Sequence, residues 1–484
     1  MYYGITISPI VETISMGRKM AEIWAASYMF SYMMKNLASK LKDNPDVKFL
    51  VPHVEDSLFE KRDGGIGRFA DRIIIETKKE IDGDLNRFVQ EVKENVSELI
   101  ADAINEDKNR VFEFINTYIR IPYIKVFQDF KNPIKEVSRL LNNIDYFECP
   151  SDYKDYLQRF LIRERILKSR LYKDCGKGGY ESIAEIASKG SGVKVKFALD
   201  KEEDDYYKAL KEQLKESEEP FLKVYKYIAI VHADGDNLSK VVEEKGKKTS
   251  EMIFNFTKEA EKILLKKDRG CNIVFMGGDD LLFFSPVYFR DKSTIFDLID
   301  ELREKYDEAF KEFNKNTQSG IQTSLSFGVS ISYYKFPLYE ALKESREALF
   351  AKAKSKKNAV CVKVRKHSGQ LFEFTEQFDS DIYTDFKNLL KRALSDEIEF
   401  PHSFQYKLRN LKALIENNIN LDNFFENFFN EEIHKTKFKA GLIEVKGLLE
   451  KYKNRVKKGS FDEEFNNLFS MLSMIKLLEG REDD

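Results

Sequence analysis

Asn272-Ile273-Val274-Phe275-Met276-Gly277-Gly278-Asp279-Asp280-Leu281-Leu282-Phe283-Phe284-Ser285 decides the fold. An apolar strand-like run enters a Gly-Gly turn, and a second such run leaves it. That is a β-hairpin with two acids at its tip. Working outward, residues 224–231 read as a buried strand that runs into Ala233-Asp234-Gly235-Asp236-Asn237. Two helical stretches and the turn Asp268-Arg269-Gly270 separate that strand from the hairpin. Beyond it, Ile295, Leu298, Ile299, Leu302, Tyr306, Phe310 and Phe313 fall on one face of a long helix. Leu325, Phe327, Val329 and Ile331 then alternate as a strand, and a helix over 337–354 and a strand over 359–364 follow. The order is β-α-α-β-β-α-β-α-β, an α/β (α+β) unit.

This order carries a specific chemistry. A strand ending in Asp234 places a carboxylate at the sheet edge, and the adjoining hairpin presents Asp279 and Asp280. Three converging carboxylates raise one another's pKa, and a hard divalent cation relieves the repulsion. Two such ions about 4 Å apart activate a hydroxyl nucleophile and stabilise a pyrophosphate leaving group. Gly277 and Gly278 permit the turn and a close approach by a nucleotide. Gly235, Asp236, Asn237 and Leu238 lie between strand end and helix start, where backbone N–H groups cradle phosphate oxygens. Lys240, Lys352 and Lys354 are candidate phosphate counter-charges.

Four regions are expected: 1–130, 131–220, 221–370 and 371–484. The first opens with a strand at 2–7. A helix follows Pro9, with Ile10, Ile14, Ala21, Trp24 and Tyr28 on its apolar side. Further strands are expected at 48–51 and 71–75, and charged helices over 78–120. The second region is mostly helical, with glycine turns at Gly176-Lys177-Gly178-Gly179 and Gly190-Ser191-Gly192. Its charge run over 200–219 reads as a solvated helix or linker. The fourth region reads as helical throughout and as a structural cap or partner-binding bundle.

Composition excludes several classes. Of 484 residues, 33% are charged and 42% hydrophobic, as in an ordinary folded protein. A net charge of −2 supplies no global basic field, so nucleic-acid contacts must come from local patches or partner subunits. Four cysteines with no C-x-x-C pair fit a reducing, cytoplasmic setting and leave no zinc ribbon expected. No apolar run reaches the roughly 18 residues of a membrane span.

The hairpin and its topology resemble the palm domain shared by GGDEF diguanylate cyclases and polymerases. The stretch His232-Ala233-Asp234-Gly235-Asp236-Asn237-Leu238-Ser239-Lys240 is similar to the first metal motif of the large subunit of type III CRISPR-Cas effector complexes, Cmr type. Lys357-Asn358-Ala359-Val360 through Gly369 resembles the end of that palm. Ile7-Ser8-Pro9-Ile10, Gly17-Arg18-Lys19 and Ile23 to Tyr32 resemble the opening of a first palm.

The resemblance implies two ferredoxin-like palms with helical middle and C-terminal regions. It implies metal contacts at Asp234, Gly235, Asp279 and Asp280 for two Mg²⁺ or Mn²⁺ ions. Nucleotide contacts are implied at Gly235, Asp236, Asn237, Leu238, Ser239, Lys240, Gly277, Gly278 and Lys354. Strand 2–7 ends in Ser8-Pro9 rather than an acid, so the first palm is expected to be degenerate and to hold a second nucleotide, with Ser27 and Ser31 as candidates. The implied activity is that of an ATP-dependent nucleotidyltransferase triggered by target RNA, working with guide RNA and other effector subunits in antiviral defence. Its product is a second messenger, either cyclic oligoadenylate or a conjugate of AMP with S-adenosylmethionine.

The family's histidine-aspartate nuclease is not expected, because no His-Asp dipeptide occurs and the five histidines are scattered. Cys149 and Cys175 stand isolated where relatives carry a zinc element, so no zinc is expected. A free-standing GGDEF-like cyclase and a non-catalytic RNA-binding scaffold are the rival readings.

Overall fold

Both halves of the chain build the same sheet order. The computed structural model describes residues 1–60, 63–144, 155–176, 180–195, 203–318, 320–398, 409–410, 412, 436–455 and 461–480. The first half runs β1 (Tyr2–Thr6), α1 (Ile10–Ile14), α2 (Met20–Lys42), β2 (Val47–Val51), β3 (Arg72–Thr77), α3 (Asp82–Ile104), α4 (Lys108–Tyr118) and β4 (Tyr123–Val126). Its strands order as β2-β3-β1-β4, all antiparallel. The single helix expected after Pro9 is two helices, because the chain turns at Ser15–Lys19 around Gly17 before α2 starts. Strand β4 has four residues, all half-buried, and shows no alternation to announce it.

The middle of the chain carries α5 (Pro133–Asn142), α6 (Asp155–Phe160), α7 (Arg163–Lys168), α8 (Arg170–Asp174), α9 (Ile183–Ser188) and α10 (Glu203–Glu216). The charge run expected to be solvated is an amphipathic helix: α10 buries Tyr206, Tyr207, Leu210 and Leu214 in the second core. Cys149 and the turn residues Lys177, Gly178 and Gly179 lie outside the described residues. Cys175 is buried, as a small apolar side chain would be.

The second half runs β5 (Tyr227–Asp236), α11 (Leu238–Lys245), α12 (Lys247–Leu264), β6 (Asn272–Gly277), β7 (Asp280–Pro286), α13 (Ile295–Asn316), β8 (Ser324–Tyr333), α14 (Leu338–Glu347), α15 (Lys354–Lys356), β9 (Ala359–Arg365) and β10 (Leu371–Gln377), then α16 (Asp381–Leu394). The sheet order is β10-β9-β8-β5-β7-β6. Numbering the strands within each half, both sheets contain the order fourth-first-third-second, that of a ferredoxin-like palm. β9 adds parallel to β8, and β10 adds antiparallel to β9. The expectation that residues from 371 onward are helical throughout is therefore corrected. After the turn at Gly369, Leu371–Gln377 folds back as an edge strand.

The seven residues assigned to one face of α13 are all buried, each contributing roughly 1.5–3 kcal/mol if it is Leu, Ile or Phe. The helices Thr436–Arg455 and Phe461–Glu479 pack on the same core, and Phe461–Glu479 lies against β10. α2 is apolar on nearly every side because two cores need it. Trp24, Tyr28 and Met33 fill the first core, while Met20 and Ile23 pack on Ile228, Ile230, Leu282 and Phe284 of the second sheet. The palms are thus joined through a shared helix. Among the described residues no helix is long and apolar enough to cross a membrane.

Candidate active site

Alternation along β5 sends Ala229, Val231 and Ala233 into one core and Ile228 and Ile230 toward α2 and α14. His232 and then Asp234 follow on that second face. In β7, Leu282 and Phe284 occupy the same face, with Asp280 at the strand's start. Ala233 pairs with Leu281, so one step further Asp234 and Asp280 face each other across the ladder. Gly277 pairs with Asp280, which leaves Gly278-Asp279 as a two-residue turn. Gly278 has φ +69°, a conformation that an L side chain resists. Gly277 serves a different need from the one expected: it is extended, and a Cβ there would lie 2.5 Å from the Phe275 ring.

Burial, then the charge of Asp234, pushes the Asp279 carboxyl up from its usual range. Asp280 opens onto a cleft, yet its partial desolvation there, with Asp279 and Asp234 nearby, raises its pKa as well. Lys354 follows a π-helical turn, Ala348–Ala353, at the end of α14. Its Nζ sits 2.6 Å from Asp234 Oδ2 and 3.4 Å from Asp236 Oδ1, and donates to the Gly235 carbonyl. Among the described residues no group of three or more His, Cys, Asp or Glu side chains is arranged to hold one ion. The convergence expected from sequence is therefore incomplete in this arrangement, because the Lys354 ammonium already satisfies Asp234 and Gly235 O. The donor set still fits a hard divalent cation. It is all oxygen, burial and repulsion oppose the ionisation of Asp279 and Asp280, and Asp236 Oδ1 is buried without a hydrogen-bond partner.

The strand does not end at Asp234 but continues through Asp236. The Asp236 carboxylate turns inward, where Oδ2 accepts from Ser324 Oγ (2.7 Å), Ser326 Oγ (2.6 Å) and the Asn358 N–H (2.9 Å). Asn237 spans two loops, donating to Gln322 O and accepting from Lys357 Nζ. Leu238 packs on the core, and Ser239 is exposed at the start of α11. Lys240 pairs with Glu243 and Lys352 lies toward Glu373, so neither joins the carboxylates. Lys354 does.

A cleft of about 840 Å³ opens beside these acids. Asp280, Gly277 and His232 line one side, and Ser27, Ser31 and Asp71 of the first palm line the other. Ser27 and Ser31 are buried on α2, and Ser31 Oγ accepts the Phe69 N–H. Asp71 and Tyr306 had no sequence signal of function, and His232 had only its place at the head of the motif stretch. Asp71 adds to the charge that raises Asp280. Burial, aided by Arg346, lowers the His232 imidazole to about 3, so it stays neutral, with Nδ1 2.8 Å from Ser345 Oγ. Tyr306 looks like core, yet its hydroxyl lies beneath the hairpin. A Cβ on Gly235 would sit 2.8 Å from it and 3.0 Å from Asp279 Oδ2.

A carboxyl whose folded pKa is raised costs stability progressively as the pH rises from its unfolded pKa to its folded one, and the cost is complete above the folded value. Asp279→Asn is therefore expected to stabilise the metal-free protein by about 1 kcal/mol at about pH 8, after discounting for water in the cleft. At about pH 3 or below, where Asp279 is protonated in the folded chain and largely so in the unfolded one, the gain should shrink toward nothing. Denaturant unfolding in chelator at the two pH values measures it. An Asn variant less stable than wild type at the higher pH would contradict the electrostatic account.

Comparisons with known proteins follow the two halves. Residues 227–361 match the family model described as Cas10/Cmr2, second palm domain. Residues 2–109 match the model described as CRISPR-associated protein Cmr2, N-terminal; together the two models cover half of the chain. The CRISPR system Cmr subunit Cmr2 of Pyrococcus furiosus is 29% identical over 30% of this chain, and the match spans 19% of that relative's length. Among solved structures, the type III-B Cmr-beta bound to cognate target RNA aligns at TM-score 0.52 and 12% identity, covering 99% of this chain and 83% of that one. The Csm1-Csm4 cassette in complex with AMPPNP aligns at TM-score 0.51 and 12% identity, covering 99% and 69%. At such identities these structures speak for the fold alone.

Proposed function

The chain belongs to the Cas10/Cmr2 family, and on that premise we propose that it is the large subunit of a type III CRISPR RNA-guided effector complex, joining ATP-derived nucleotides into a second messenger when the complex meets target RNA. One observation carries the reading: Asp280, with Asp234 and Asp279 beside it at the hairpin, lines a cleft whose other wall includes Ser27 and Ser31 on α2 of the first palm. Asp234, Asp279, Asp280 and the Gly235 carbonyl would hold two Mg²⁺ or Mn²⁺ ions, which when bound neutralise the triphosphate and activate the acceptor hydroxyl.

The remaining work falls to the chain itself. Lys354, which pairs with Asp234, is the cation we assign to the phosphate oxygens. A Cβ at Gly278 would touch nothing within 4 Å, so the turn is open to an approaching nucleotide. The acceptor side, with Ser27 and Ser31, orients a second nucleoside, and orientation of this kind lowers a barrier by roughly 7–11 kcal/mol. Other effector subunits, guide RNA and target RNA are the proposed partners, in line with the target RNA and the ATP analogue of the structural relatives. The product is cyclic oligoadenylate or an AMP conjugate of S-adenosylmethionine. A free-standing cyclase would have no use for the first palm, and a dead scaffold would have no use for Asp279 and Asp280 held against ionisation beside Asp234.

Calorimetric titration with a non-hydrolysable ATP analogue tests the arrangement. Two sites per chain are expected with metal, and Asp234→Ala should remove the metal-dependent site while sparing the weaker one. A single site under saturating metal would contradict the two-palm account and favour a dimeric enzyme.

A further inference from the structure

The topological counterpart of the carboxylate hairpin in the first palm is the connection 52–71 between β2 and β3. In the second palm the turn is two residues long. In the first, the connection crosses to the other palm and is fastened there. The Gly67 carbonyl accepts the Met276 N–H at 2.9 Å, and Gly67 bridges Phe275 in parallel, pairing with the exposed edge of β6. The Arg68 guanidinium grips Glu261 on α12 through two contacts, 2.5 and 3.2 Å, with both side chains largely covered.

The same segment is tied to α2 from behind. Trp24 donates to the Gly65 carbonyl at 2.5 Å, where Gly65 has φ +73° and a Cβ would strike the Trp24 ring. The Tyr28 hydroxyl and the Lys35 ammonium both reach Asp63, at 2.9 and 2.7 Å. These anchors alternate along α2 with Ser27 and Ser31, which line the cleft.

We propose that residues 63–71 form a positioning strap that registers the acceptor wall of the cleft against the carboxylate hairpin, with Arg68 as its positioning residue. The inference rests on the nucleotidyl transfer proposed above, because transfer between sites on two palms succeeds only if the palms keep their register. A displacement of about 1 Å between reacting groups lowers rate on the order of 100-fold. The strap touches neither nucleotide; it fixes the distance between the walls that do.

The test is a charge swap in the assembled complex: Arg68→Glu, Glu261→Arg and the double variant. Each single variant should lower kcat roughly 10- to 100-fold and leave affinity for the non-hydrolysable ATP analogue at the metal-bearing palm within about twofold. The double should recover most of the rate, since it restores the pair. Amide exchange at Met276 should quicken in the singles and slow again in the double. A change in global stability alone would not produce that split between rate and donor binding.

Wild-type kcat in both singles, or a double no better than either, would overturn the strap. If the wild-type complex makes no nucleotide product, the proposed function falls, and the strap is judged by amide exchange alone. Unchanged Met276 protection in the singles then overturns it. Should a reversal variant fail to fold, Arg68→Gln provides the same readouts with only the charge removed.

Discussion

Replacing Asp279 and Asp280 together by Ala is expected to lower nucleotide synthesis by about a thousandfold or more, while complex assembly and RNA binding persist. The magnitude follows from removing charge stabilisation aimed at the reacting phosphate, where loss of a single preorganised donor already costs about 10²–10³-fold. Persistence follows from the local structure. The turn depends on Gly278 and on backbone pairing of Gly277 with Asp280, neither of which needs a carboxylate. Raised pKa values at both acids mean that the folded chain carries them at a cost, so their removal should not unfold it. Size-exclusion chromatography with guide RNA and product quantification decide the matter. Undiminished product from a folded double variant would remove these acids from the chemistry.

Gly235→Ala is expected to cost synthesis roughly 10- to 100-fold with a loss of stability of only about 1–3 kcal/mol. The new methyl would sit 2.8 Å from the Tyr306 hydroxyl and 3.0 Å from Asp279 Oδ2. Tyr306 has nowhere to go. It is fully buried, bonded to Thr323 Oγ1 at 2.8 Å, and packed on Phe310 and Phe256 with centroids 4.4 and 5.1 Å away. The other neighbour is the Asp279 side chain at the hairpin tip, so the strain falls on a candidate ligand. Adding Tyr306→Phe removes the hydroxyl and should restore part of the rate. Gly235→Ala with wild-type kcat, measured beside the Tyr306→Phe single and the double, would show that the packing beneath the hairpin is slack.

Much of the second palm was legible because its signals are local. Continuous apolar runs mark β5 and β7, period-two alternation marks β8, helical spacing marks α13, and the Gly-Gly-Asp-Asp turn joins two of the apolar runs. The candidate carboxylates follow from those elements alone. What escaped is set by tertiary contact. Strand β4 is short and half-buried throughout, and β10 lies beyond a turn that resembled the end of the domain. Tyr306 falls on an apolar helix face, and nothing in its spacing distinguishes a core ring from one whose hydroxyl supports a hairpin. Lys240, Lys352 and Lys354 are equivalent by type; only the π-helical turn before Lys354 and the packing of α14 select one of them. The strap joins residues nearly two hundred positions apart in sequence, through backbone groups that every residue shares, so no side-chain pattern announces it.

The central claim is that the two palms together join nucleotides on a cue from RNA. Mass spectrometry of products tests it most directly, after the assembled wild-type complex is incubated with ATP, S-adenosylmethionine, Mg²⁺ or Mn²⁺, and target RNA. The account predicts an adenosine-containing product, a cyclic oligoadenylate or an AMP conjugate, that requires both divalent metal and target RNA and disappears in the Asp279/Asp280 double Ala variant. ATP left unjoined by an intact, RNA-bound wild-type complex would contradict it.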